Sequence, residues 1–130
     1  MKPPTGKRFS VRERLISFRF AFKGIATAIR TQHNFRIHIA ILALVITSGF
    51  VFGISPTEWC IVLLASALVL GLEMINTALE FMVDMISPEY HEKAGAIKDI
   101  SAASVLIAAL IAATCGIIIF SKYILESFSL

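Results

Sequence analysis

The chain has 130 residues, room for one domain, and 57% of them are hydrophobic, with a mean hydropathy of +0.81 that excludes a soluble domain of ordinary composition. The net charge of +3 hides a division: nine of the twelve Lys and Arg residues fall in residues 1–36 against one acid, Glu13, so this end carries +8 and the remainder −5. A basic block beside apolar runs reads as a cytoplasmic segment facing anionic lipid headgroups. Nothing downstream has the pattern of a soluble recognition fold, so nucleic acid is not expected as a partner.

Residues 1–9 are a basic tail, rich in Pro, Gly and Lys, expected to be disordered. From about 10 to 31, Leu15, Phe18, Phe22, Ile25 and Ile29 recur at helical spacing, with Arg12, Arg19, Lys23 and Arg30 elsewhere on the wheel. This is the pattern of an amphipathic helix lying in the membrane interface; the alternative is a core-facing helix of a soluble domain. Three apolar spans follow at roughly 37–54, 57–86 and 100–121. The first is near the minimum for crossing a bilayer, the third is comfortable, and the second overshoots by about two turns. Ser55-Pro56-Thr57 forms a tight turn that starts the second span.

The turn at 53–58 lacks Lys and Arg, whereas the connection 87–99 carries Lys93 and Lys98. The positive-inside rule therefore puts the N-terminus and 87–99 in the cytoplasm, with Lys122 as a mild objection. No cleavable signal peptide is expected, because the first apolar run begins near Ile37 without an A-x-A-like site. Cys60 and Cys115 lie in apolar spans and read as small fillers. The fold class is all-α integral membrane, one domain over residues 10–130, with an interfacial helix and three transmembrane helices.

Within the second span, Glu73, Asn76, Glu80 and Asp84 recur at i, i+3, i+7 and i+11, inside a band less than a quarter turn wide. A charged carboxylate at the centre of such a helix costs about 2.5–3.5 kcal/mol, so several on one stripe point to ion or phosphate chemistry. Glu73 lies roughly 24 Å along the helix from Thr57, toward the inner edge of the hydrocarbon, and Glu80 roughly 10 Å beyond it. The stripe thus runs from acyl-chain depth to water.

Phosphoryl transfer to an alcohol needs charge neutralisation of the polyphosphate, a positioned hydroxyl and a group to take its proton. Mg²⁺ prefers carboxylate and phosphate oxygens, which suits Glu80. A carboxylate in apolar surroundings holds a proton more tightly than one in water, which suits Glu73 as the acceptor. Asn76 is placed to hydrogen-bond the hydroxyl or Glu73. Lys98 can hold phosphate as a point charge, or merely snorkel to the interface. Asp99 also reads as an N-cap, Asn76 and Thr77 as packing between helices, and Arg36 as a topology anchor or a contact to lipid phosphate. His33 and His38 read as surface or interface residues, and none of the three histidines has metal-ligand spacing. No P-loop or kinase glycine loop is present.

Glu73-Met-Ile-Asn76-Thr77-Ala78-Leu-Glu80, then Val83-Asp84, Glu89-Tyr90-His91 and Lys98-Asp99, resembles the signature of the prokaryotic diacylglycerol kinase family, which includes undecaprenol kinases. Ala102-Ala103-Ser104-Val105-Leu106-Ile107 also fits, and the likeness extends over roughly residues 10–122. The resemblance implies an ATP- and Mg²⁺-dependent lipid kinase of the bacterial inner membrane, a homotrimer with active sites shared between subunits. By that likeness Glu73 is the general base and Glu80 a metal ligand at the ATP phosphates, with Asn76 and Asp84 in support. Glu89, Tyr90, His91, Lys98 and Asp99 would contact ATP, and the lipid would lie against the interfacial helix and the Asn34-Phe35-Arg36 corner. Members usually carry Glu where this chain has Gln32, which implies weaker Mg²⁺ affinity if that position faces the metal. Phe35-Arg36-Ile37-His38 is more similar to the undecaprenol kinase branch.

Two other functions also place polar groups inside a helical bundle. An oligomeric ion or proton conduit would line its interior with Glu and Asn. It has no use for Lys98-Asp99, the Glu89–His91 loop or a basic interfacial helix. A lipid-binding scaffold derived from a kinase would have no need to keep Glu73, Asn76, Glu80, Asp84, Lys98 and Asp99 together.

Overall fold

A computed structural model describes residues 10–89 and 91–128 as four helices: α1 (Val11–Thr31), α2 (His33–Phe52), α3 (Pro56–Ile86) and α4 (Glu92–Phe128). The N-terminal tail and Tyr90 lie outside the described residues. α2, α3 and α4 are each long and apolar enough to cross a membrane. α3 is the most buried of the three and packs most extensively against α4, with α2 on another flank and α1 laid across one end. Large apolar side chains such as Leu44, Leu64, Ile107 and Ile118 are exposed on the outside of these spans, where hydrocarbon rather than water would meet them.

α1 begins where Ser10 accepts a hydrogen bond from the backbone N–H of Glu13. Its bulky apolar stripe is not spent on packing within the chain: Leu15, Phe18 and Phe22 are all exposed. The contact with α3 is made instead by small residues one turn apart. Ala28 is buried, and a Cβ at Gly24 would lie 3.8 Å from the Met74 methyl. Small residues let the two backbones approach and leave the bulky stripe facing outward. A single extended residue, Gln32, ends α1 and starts α2.

At the other end of the bundle the turn is fixed by local chemistry. Gly53, with φ 62° and ψ 47°, closes α2 in the left-handed conformation that glycine adopts without strain. Ser55, Pro56 and Glu58 then start α3 with a capping box: Glu58 N–H donates to Ser55 Oγ at 3.3 Å and Ser55 N–H donates to Glu58 Oε2 at 2.8 Å. The same carboxylate accepts the Tyr123 hydroxyl at 2.7 Å and pairs with Lys122 at 2.5 Å. It therefore ties the start of α3 to the end of α4, and Lys122 is not a stray charge. Ile54, Val62 and Ile119 form a buried cluster beneath this clasp, with Phe52, Trp59 and Phe120 packed around it.

Gly49 marks the closest approach of α2 to this corner. A Cβ there would meet the Trp59 ring at 2.7 Å and Ile54 Cδ1 at 3.2 Å. Trp59 is itself held against Phe50, ring centroids 4.9 Å apart, so it has little room to give. Gly49→Ala should gain about 1 kcal/mol of helix propensity and lose about 1–3 kcal/mol to overpacking, a net loss of stability. A lower unfolding temperature of the purified protein in micelles is the expected result.

Two helices begin earlier than the hydropathy pattern places the spans. α2 starts at His33 rather than near 37, and α4 at Glu92 rather than near 100. The loop after α3 is correspondingly short. Hydropathy locates the bilayer, whereas Glu, Lys and Ala favour helix outside it as well, and both helices continue beyond the apolar region.

Candidate active site

The polar stripe of α3 lies along its face toward α4 and changes character from one end to the other. Glu73 is 2% exposed and Asn76 6%, Glu80 is half-buried, and Asp84 is exposed. Burial within the bundle thus falls along one helix from Glu73 to Asp84. Thr77, also buried, donates its hydroxyl to the Glu73 backbone carbonyl at 2.9 Å, which disposes of its polar group within the helix.

Each member of the stripe has a different partner. Asn76 Nδ2 donates to Glu80 Oε1 at 2.9 Å, and Ser101 Oγ of α4 donates to Asn76 Oδ1 at 2.5 Å. Lys98, one turn before Ser101, pairs with Asp84. Antiparallel packing of α3 and α4 thus makes two polar rungs, Asn76–Ser101 and Asp84–Lys98. No hydrogen bond among the described residues engages the second oxygen of Glu80 or either carboxyl oxygen of Glu73.

The remaining candidates fall around the same end of the bundle. Glu89 is exposed in the short loop, its carbonyl accepting the Ser87 hydroxyl at 3.1 Å. His91 immediately precedes α4, and its Nδ1 accepts from the Lys93 backbone N–H at 3.2 Å, so the ring caps the first turn. Asp99 is exposed and lies inside α4, seven residues past its first; it is not the N-cap of that helix. At the start of α2, Asn34 and Arg36 are exposed, and Arg36 Nη2 lies 3.4 Å from His33 Nδ1. Phe35 is buried and packs inward. Gln32 is half-buried at the joint between α1 and α2 and makes no capping bond with its side chain.

Two residues close to the stripe are not evident from sequence spacing. Ser101 sits among Ala and Ile, where a serine reads as a small packing residue; only the register of α4 against α3 brings it to Asn76. His38 lines an apolar cavity of about 540 Å³ between α2, α3 and α4, shared with Val69 and Leu70 of α3 just before the stripe. Its facing becomes visible only once α2 is packed against α3 and α4.

Among the described residues no three His, Cys, Asp or Glu side chains gather into a metal cage. Mg²⁺ does not require one. It is held by one or two carboxylates together with substrate phosphates and water, and Glu80, with one oxygen uncommitted and Asp84 a turn nearer to water, is a donor set of that kind.

Comparison with known proteins gives first a class, the membrane phosphotransferases that act as lipid kinases. Within it, the chain belongs to the prokaryotic diacylglycerol kinase family, whose sequence pattern matches residues 19–120. It is 42% identical over 103 residues to a diacylglycerol kinase of Synechocystis sp., covering 78% of this chain and 59% of that protein. It is 38% identical over 104 residues to an undecaprenol kinase of Bacillus subtilis, covering 80% and 85%. A diacylglycerol kinase of Escherichia coli is 30% identical over 105 residues, covering 80% and 86%. The chain therefore spans less than two thirds of the cyanobacterial relative and most of the other two.

Proposed function

We propose that the protein transfers the γ-phosphoryl group of ATP to the primary hydroxyl of a membrane lipid alcohol, undecaprenol or diacylglycerol, at the cytoplasmic face of the bacterial inner membrane. The observation that carries this reading is the state of Glu73: a residue 2% exposed at the inner end of a polar stripe, its carboxyl group engaged by no hydrogen bond among the described residues. No described side-chain oxygen is sealed away without a partner, so the carboxyl tip stays within reach of a substrate hydroxyl, a fitting partner in apolar surroundings. Glu73 takes the hydroxyl proton as the lipid oxygen bonds to the γ-phosphorus and ADP leaves.

Glu80 and Asp84 lie on the side from which the nucleotide would arrive. Glu80 would hold Mg²⁺ with its free oxygen, and the ion, when bound, neutralises charge on the ATP phosphates. Asn76 fixes the other Glu80 oxygen. The exposed Lys98–Asp84 pair can exchange, with Lys98 turning to phosphate, because exposed ion pairs contribute little to stability. Glu89, Tyr90, His91, Lys98 and Asp99 would contact the nucleotide. Gln32 would make a neutral and weaker contribution there than a carboxylate. The lipid would approach along α1 and the Asn34–Arg36 corner, with the basic residues of α1 on anionic headgroups.

A homotrimer with sites completed between subunits is part of this proposal. Of the two lipids we favour undecaprenol, on the likeness of Phe35–His38 to that branch. The test is ATP-dependent phosphorylation by the purified protein in mixed micelles, with undecaprenol and diacylglycerol assayed side by side. Transfer to at least one lipid, faster to undecaprenol, is the expected result. No transfer to either by folded protein in excess Mg²⁺ would remove the reading, and preference for diacylglycerol would reverse the choice of lipid.

A further inference from the structure

Serine 101 makes two contacts with one proton. Its Oγ lies 2.5 Å from Asn76 Oδ1 and 3.0 Å from the Lys98 carbonyl of its own helix, and the hydroxyl can donate to only one of them at a time. The choice is dictated from the far end of the network. An ionised Glu80 only accepts, so Asn76 must turn its NH₂ toward Glu80. The amide oxygen is then forced toward Ser101, which must donate to it. At 7% and 6% exposure, Ser101 and Asn76 have little access to water as a substitute.

We infer that Ser101 is a positioning residue for the nucleotide side of the site: through Asn76 it fixes the Glu80 carboxylate so that its free oxygen faces Mg²⁺ and the ATP phosphates. The inference rests on the lipid-kinase reading. Without the Ser101 donor, the Asn76 amide keeps its NH₂ on Glu80 but loses its anchor to α4. Amide and carboxylate would then move as a pair, and the free Glu80 oxygen would lose its fixed direction. Ser101 touches neither the hydroxyl nor Glu73, so its loss should be felt in metal–nucleotide binding far more than in the chemical step.

The test compares full-length wild type with Ser101→Ala and Ser101→Thr in micelles. Ser101→Ala should raise the KM for Mg·ATP on the order of tenfold, as expected for a lost hydrogen bond in a charged network, with kcat changed less than about twofold. Ser101→Thr, which keeps the donor, should restore the wild-type KM. A readout independent of turnover is the ¹⁵N signal of the Asn76 side-chain amide, which should move in Ser101→Ala and stay close to wild type in Ser101→Thr. An unchanged KM, an unmoved amide signal, or a fall in kcat with KM unchanged would overturn the inference while wild-type turnover still upholds the kinase. A wild type inactive on both lipids would remove the kinase and with it the catalytic part of the inference; the amide signal alone would then decide the hydrogen-bond chain. If Ser101→Ala does not fold, Ser101→Cys keeps the volume with a poor donor and carries the same comparison.

Discussion

Replacing Glu73 with Gln should lower kcat by about 10²–10⁴-fold, the range that a positioned general base contributes, and leave ATP binding close to wild type. The amide has nearly the same shape, so it can occupy the same buried position on α3 with little change in packing. It cannot accept a proton and keep its hydrogen-bonding role. The variant thus separates the chemistry of the carboxylate from its volume, which a change to alanine would not do. The measurement is single-turnover phosphoryl transfer beside nucleotide binding in the same micelles. If kcat moves by less than about tenfold, the proton goes elsewhere and Glu73 is not the base.

Glu80→Ala should act on a different parameter. The Mg²⁺ concentration for half-maximal turnover should rise by at least 10- to 100-fold, because loss of a ligand costs no less than loss of a residue that merely orients one. The apparent KM for ATP should rise with it, since metal and phosphate share the site. Asn76 would keep its bond from Ser101 but lose its own acceptor. A Mg²⁺ titration that superimposes on wild type would remove Glu80 from the metal site and leave it as a partner of Asn76 only.

What the sequence made legible follows from what is energetically conspicuous in one dimension. Carboxylates in an apolar run stand out because hydrocarbon penalises them, and their spacing on one helix gives their common face directly. The turn at Ser55 was likewise local, readable from Ser55-Pro56-Thr57, although the part Glu58 plays in it emerges only in the structure. Helix starts were less visible: the residues Glu92–Asp99 carry enough charge to look like a loop, yet they favour helix, and α4 runs through them. The Glu58–Tyr123 bond joins residues 65 positions apart, and Ser101–Asn76 joins positions 25 apart. Neither has a pattern within its own helix; both need the register between helices. The roles of Glu73 and Glu80 came from resemblance as much as from residues, and they await the assays above.

The two ends of the bundle are fastened in unlike ways. At the Ser55 end, a capping box, a carboxylate with three partners and a plug of aromatic rings leave α3 and α4 no freedom to part. At the Asp84 end, the polar contacts between them among the described residues are an exposed ion pair and a buried rung. Such an arrangement works like tongs, with a rivet at the Ser55 end and jaws at the Asp84 end. On the proposed function, it is the jaws that would part to admit nucleotide and release product, while the riveted end would stay closed.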